Sequence, residues 1–169
     1  MAQPVQPTKL PIAADGRSAY TVAEQAVRAA AAPIVANIAQ MALPEGQRTV
    51  HVSHKDGWNN LVTDVDRAAE DTLLAVITSA FPTDAIVAEE SGSRAGTSGY
   101  SWIVDPLDGT RNFTSANPHV CVNLALTDGD RLVLGLTYDP LREELFHAIE
   151  GGGAFLNGER ISVSEQTDL

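Results

Sequence analysis

The segment Asp105-Pro106-Leu107-Asp108-Gly109-Thr110 sets two carboxylates three residues apart around a turn, directly after the apolar run Trp102-Ile103-Val104. A strand ending there presents Asp105 at a fixed place. Pro106 stiffens the turn, and Gly109 permits a close backbone approach that a side chain would block. Thr110 adds a hydroxyl and a backbone N–H. Carboxylates in this spacing suit a hard divalent cation such as Mg2+, which takes oxygen ligands and keeps some of its water. The Leu107 carbonyl is one further oxygen. A short helix opening at Gly109 to Phe113 would turn free N–H groups toward an anion.

Two more acidic clusters stand at element boundaries. Glu89-Glu90-Ser91 follows a second apolar run, Ala85-Ile86-Val87-Ala88, and Thr63-Asp64-Val65-Asp66 opens a helical pattern. Singly, each has a plainer reading. The first is a solvated turn, and Asp near a helix start stabilises the helix dipole. Jointly, they are carboxylates at ends of elements, where a cleft can gather them, and gathered carboxylates call for a cation.

The elements that must position these groups follow from periodicity. Val22, Ala26, Ala29, Ala30, Ile34, Ile38 and Met41 recur at three- and four-residue steps, predicting a helix from Ser18 that Pro33 kinks or interrupts. Thr49 to His54 reads as a strand and Asp56-Gly57 as a turn. Thr63 caps a second helix running to about Ala80, before Phe81-Pro82. The period then becomes two. Val120 to Leu126 and Leu132 to Tyr138 form a hairpin through Asp128-Gly129-Asp130, followed by strands at Glu144 to Ile149 and Arg160 to Val163. The fold class is α+β: a mainly antiparallel β-sheet with two long helices packed on one face. Residues 1–17, with three prolines and no periodicity, read as a loose N-terminal tail, leaving 18–169 as the folded unit.

Composition narrows the function. Against 22 acidic residues stand 11 Lys and Arg, a formal charge of −11, so the basic stripe of a nucleic-acid binder is missing. The most apolar stretch, Ala26 to Leu43, carries Arg28, Pro33, Asn37 and Gln40, which argues against a membrane span. A lone cysteine, Cys121, permits no intrachain disulfide and fits a reducing compartment, and its apolar flanks read as core; with no signal-peptide or membrane-span pattern, the expected compartment is the cytoplasm. His51, His54, His119 and His147 have no zinc-ligand spacing, and Gly151 to Gly153 lacks the Lys-Ser/Thr of a P-loop.

With these residues in hand, the chain resembles the inositol monophosphatase family. The resemblance rests on Thr63-Asp64-Val65-Asp66, on Glu89-Glu90-Ser91 and on Trp102 through Phe113, and extends from about Ser18 to Val163. It implies the N-terminal part of an αβαβα sandwich. It also implies a phosphoric monoester hydrolase of the inositol-phosphate phosphatase type, Mg2+-dependent, lithium-sensitive and dimeric. The residues implied to hold metal are Glu89, Asp105, Asp108 and the Leu107 carbonyl. Those implied to be catalytic are Glu89, Thr110 and Asp66, with Glu89 helping to activate water and the Thr110–Asp66 pair assisting it. The phosphate is implied to meet Glu89, Leu107, Asp108, Gly109 and Thr110, the last two through backbone N–H groups, and Lys55 matches a lysine on a loop near the site. Two metals about 3.5–4 Å apart would then stabilise attacking and leaving oxygens together.

Two positions depart from the family pattern. Asn60 replaces a usual acidic residue, and Ala88 replaces a common Gly. Family members also carry a later lobe with a Trp-Asp motif. Neither Trp58 nor Trp102 precedes an Asp, so the expectation is a truncated product or fragment, in which a catalytically inert metal-binding piece is an alternative. Other substrates within the superfamily are fructose-1,6-bisphosphate, histidinol phosphate and adenosine 3′,5′-bisphosphate. A haloacid-dehalogenase-type phosphatase needs one residue between its two carboxylates; here Pro106 and Leu107 both intervene.

Overall fold

The structure, a computed structural model, describes residues 7–54 and 61–167; Lys55, the Asp56-Gly57 turn and Asn60 lie outside them. Helix α1 is Ala19–Asn37, capped by the Ser18 hydroxyl on the Thr21 N–H. Its buried face is largely alanine (Ala19, Ala23, Ala26, Ala30 and Ala31), which lets α1 lie close against the second helix. Pro33 does not interrupt α1. The helix runs on to Asn37 and only then tightens to a 3-10 turn over Ile38–Ala42. The Asn37 side chain donates to the Pro33 carbonyl at 2.8 Å.

Strands β1 (Val52–His54) and β2 (Leu61–Thr63) pair as a separate antiparallel ribbon. Helix α2, Asp64–Ala80, starts at a capping box. The Thr63 hydroxyl accepts from Val65 N–H and Asp66 N–H, while the Asp66 carboxylate accepts from Thr63 N–H. The remaining strands, β3 (Ala85–Ala88), β4 (Gly92–Arg94), β5 (Tyr100–Asp108), β6 (Cys121–Asp128), β7 (Arg131–Asp139), β8 (Glu144–Ile149), β9 (Gly153–Leu156) and β10 (Glu159–Ile161), form one sheet ordered β10-β9-β8-β7-β6-β5-β3-β4. Every neighbouring pair is antiparallel except β3–β5, which is parallel. A short helix α3, Thr110–Thr114, follows β5. The architecture is the expected α+β class with both long helices against the sheet.

Alternation divides the sheet into two unlike faces. Trp102, Val104, Leu124, Leu126, Leu134 and Leu136 are buried toward the helices together with Val22, Ile34, Leu73 and Ile77. On the other face the register aligns Val87, Ile103, Ala125, Gly135, Ala148, Ala154 and Ile161 in one row across seven strands. The next row is Asp105, Asn123, Thr137 and Phe146. Small residues in the middle of the first row leave a groove of about 430 Å³ that reaches Asp105.

The N-terminal segment is tied down more than its composition suggests. Thr8 N–H donates to the Glu150 carbonyl, Ile12 bridges Ser18, and Ala13 is buried. No helix among the described residues is long and apolar enough to cross a membrane.

Candidate active site

Parallel pairing of β3 with β5 builds the site. Ala88, the last residue of β3, lies opposite Val104, so Glu89 leaves the sheet beside Asp105, which β5 carries on in register with Asn123 of β6. Asp105 registers this directly. Burial, then the charges of Glu89 and Asp108, push its carboxyl up to about 7, while the Asn123 amide partly opposes them. One oxygen of Asp105, Oδ1, is buried without a hydrogen-bond partner. A buried, unpaired carboxylate oxygen beside two further carboxylates is costly unless a proton or a cation shares it.

Asp108 ends β5 with its side chain exposed; there the β5–β6 register shifts between Asp105 and Asp108. Its Oδ2 accepts from the Asn123 amide at 3.1 Å, and Asn123 Oδ1 in turn accepts from the Thr137 hydroxyl at 2.7 Å. Cys121 is not a core residue as its neighbours suggested. It is half-buried with Sγ 3.7 Å from Asp108 Oδ2. Burial and the Asp108 charge push its thiol up to about 11, which leaves it a poor nucleophile.

Gly109 turns the chain from β5 into α3 with φ +90°, in the left-handed region. A Cβ there would stand 2.8 Å from the His119 carbonyl oxygen. Gly109→Ala is therefore expected to destabilise the protein by about 1–3 kcal/mol, from strain and clash together. Gly129→Ala, at φ +57° with open space around it, should cost distinctly less. Urea denaturation of the two variants makes the comparison.

Thr110 Oγ1 lies 3.0 Å from Asp66 Oδ1 and 3.1 Å from the Leu107 carbonyl, both acceptors for its one proton. Asp66 is 2 % exposed. Burial raises its pKa, and hydrogen bonds from Thr63 and Thr110 oppose the rise. Here the plainer and the chemical readings meet in one side chain: Oδ2 belongs to the α2 capping box and Oδ1 reaches Thr110.

The structure thus brings Glu89, Asp105 and Asp108 within electrostatic reach, and joins Asp66, Leu107 and Thr110 by hydrogen bonds. Lys55 lies outside the described residues. Among those residues, no three His, Cys, Asp or Glu side chains stand in finished metal-binding geometry. Three like charges have a physical reason to stand apart, and Mg2+ needs only one or two protein carboxylates plus other oxygens. The orphaned Asp105 Oδ1 and the all-oxygen donor set fit such a cation. Asn123, Thr137 and Glu70 were not anticipated. Asn123 and Thr137 show in sequence only as polar residues alternating with apolar ones on β6 and β7, and Glu70 as a charge on the apolar face of α2.

Comparison with known proteins settles the lineage: a model of the inositol monophosphatase family matches residues 17–169. The chain belongs to the inositol monophosphatase family. Within that family it is 44% identical over 126 residues to inositol monophosphatase 3 of Solanum lycopersicum, covering 72% of this chain and 47% of that protein. It is 42% identical over 118 residues to the Nus factor SuhB of Haemophilus influenzae, covering 69% and 44% respectively. In structure it resembles the extragenic suppressor protein SuhB of Bartonella henselae, with a TM-score of 0.80 at 34% identity over 87% of this chain and 55% of that one. The Thermotoga maritima inositol monophosphatase gives 0.74 at 32% identity, covering 89% and 54%. The chain spans about half the length of the relatives it matches.

Proposed function

We propose that this inositol monophosphatase family member contributes the acidic half of a Mg2+-dependent phosphatase site that hydrolyses a small-molecule phosphate monoester, with inositol monophosphate as substrate. The observation that carries this is Asp105: half-buried, its Oδ1 without a partner, its carboxyl raised by burial and then by the charges of Glu89 and Asp108. The names of the relatives favour the inositol ester.

Glu89, Asp105, Asp108 and the Leu107 carbonyl are the groups that would hold the cation. Bound there, it would supply positive charge for the phosphoryl oxygens and acidify water. Asp105 and Asp108, two carboxylates in a negatively charged chain, repel a phosphate on their own, so the same residues that bind the cation enforce the dependence on it. Glu89, directly after β3, would take a proton from the attacking water. Thr110 donates its only hydroxyl proton inward to Asp66 and Leu107, which leaves the oxygen's lone pairs to accept from that water and orient it. The backbone N–H groups of Gly109 and Thr110 are the donors that the family likeness assigns to phosphate.

The test is hydrolysis of inositol monophosphate with and without Mg2+, with lithium as inhibitor, alongside Glu89→Gln. Mg2+-dependent, lithium-sensitive turnover that Glu89→Gln lowers by about 100-fold or more supports the reading. Turnover insensitive to chelator defeats it. Cation binding with zero turnover favours the second reading, an inert metal-binding piece, which the half-length match to relatives motivates.

A further inference from the structure

Glu70 is a carboxylate 2 % exposed in the middle of α2, and the mechanism above does not use it. Its partners among the described residues are two backbone amides: Glu90 N–H donates to Oε2 and Ser91 N–H to Oε1, each at 2.8 Å. Hydrogen bonds to an ionised acceptor are roughly twice as strong as neutral ones, and this pair spans both carboxylate oxygens. The two amides belong to the residues immediately after Glu89. On its other side Glu89 follows Ala88, held in register with Val104. The backbone of Glu89 is therefore fixed from both directions, by the sheet before it and by Glu70 after it.

Glu70 lies four residues, about one turn, beyond Asp66 on the same face of α2. Asp66 holds Thr110, the first residue of α3. One helix face thus grips both flanking loops, the Glu89 turn through Glu70 and the start of α3 through Asp66. Helix α2 is also rigid at this end, because the capping box and the apolar packing of Val65, Ala69 and Leu73 hold it to the core.

We propose that Glu70 is a positioning residue: it sets the Glu89 carboxylate relative to Asp105 by clamping the turn that carries it. The cation part of this rests on the metal reading given above; the clamp itself does not. Groups that orient ligands from behind typically change metal affinity by roughly 10- to 100-fold when removed. Gln at this site keeps the shape but offers one acceptor in place of two, so one amide loses its partner.

The experiment compares the protein with Glu70→Gln, Glu89→Gln and the double variant, reading Mn2+ affinity by calorimetry and exchange of the Glu90 and Ser91 amides by NMR without metal. Glu70→Gln is expected to speed exchange at those two amides selectively and to weaken Mn2+ binding by roughly 10-fold or more. It should add nothing further once Glu89 is already Gln. Equal weakening in both backgrounds would mean a general structural role and would overturn positioning through Glu89. Unchanged amide exchange would overturn the clamp. Selective exchange in a protein that binds no Mn2+ would keep the clamp and reject the metal reading instead. Should Glu70→Gln fail to fold, Glu70→Asp, shorter by one methylene and still charged, gives the same comparison.

Discussion

Asp105→Asn is expected to stabilise the cation-free protein near neutral pH and to remove its response to divalent cations. The Asp105 carboxyl is pushed from 3.8 up to about 7 by burial, Glu89 and Asp108. In the folded state it therefore keeps a proton that the unfolded chain releases from pH about 4 upward. The stability linked to that proton is complete below pH about 4, is lost as pH rises through about 7, and stays lost above. Half-exposure and solvent screening hold the cost to about 1–2 kcal/mol. Asn carries no charge, so the variant escapes the loss and its stability should be flatter from pH 4 to 7.5. Saturating Mg2+ reverses the order. A cation at about 100 times its Kd adds roughly 2.7 kcal/mol to the protein and little to the variant. Urea denaturation at several pH values, in chelator and in Mg2+, reads both effects. A pH-independent difference, or equal Mg2+ stabilisation of the two proteins, would remove Asp105 from the site.

Trp102→Phe is expected to cost about 2–4 kcal/mol, more than the lost volume alone. Trp102 is fully buried, packs against Phe81 with ring centroids 5.7 Å apart, and donates its indole N–H to Asp84 Oδ2 at 3.0 Å. Asp84 is itself 3 % exposed. Phenylalanine would keep much of the packing and strand that carboxylate oxygen without its donor. The cost should shrink in the Asp84→Asn background, because the charge that makes the stranded group expensive is gone. A loss of less than 1 kcal/mol, or the same loss in both backgrounds, would show that the indole–carboxylate bond carries little. Since Trp102 stands three residues before Asp105 on β5, cation affinity should fall along with stability.

Where local chemistry decides the structure, the amino-acid sequence was a sufficient guide. Thr63 as cap and Phe81-Pro82 as stop bracket α2 at Asp64–Ala80, because both signals act within a few residues of the chain. The β6–β7 hairpin turns at Gly129, which supplies a positive φ of 57°. At Pro33 the local rule was misleading. The missing N–H argues for a break, yet a buried alanine face held against α2 and the sheet carries α1 past it to Asn37. The three acidic clusters were visible as clusters, and Asp105, Asp108 and Thr110 fall in one short stretch, the end of β5 and the start of α3, that any reading of the segment would join.

What no local pattern encodes is which distant segments end together. The parallel β3–β5 register, opposing Ala88 to Val104, is a long-range pairing, and it brings Glu89 beside Asp105. The raised Asp105 carboxyl follows from that meeting, since its causes are burial and charges contributed from separate stretches. The same holds for Glu70, whose two amide partners lie 20 and 21 residues away in sequence. Residue types and short spacings fixed the helices, the hairpin and the inventory of candidate site groups. Strand register and packing decided which of those groups come together, because electrostatics and hydrogen bonding depend on distances in space, and only the folded chain defines them.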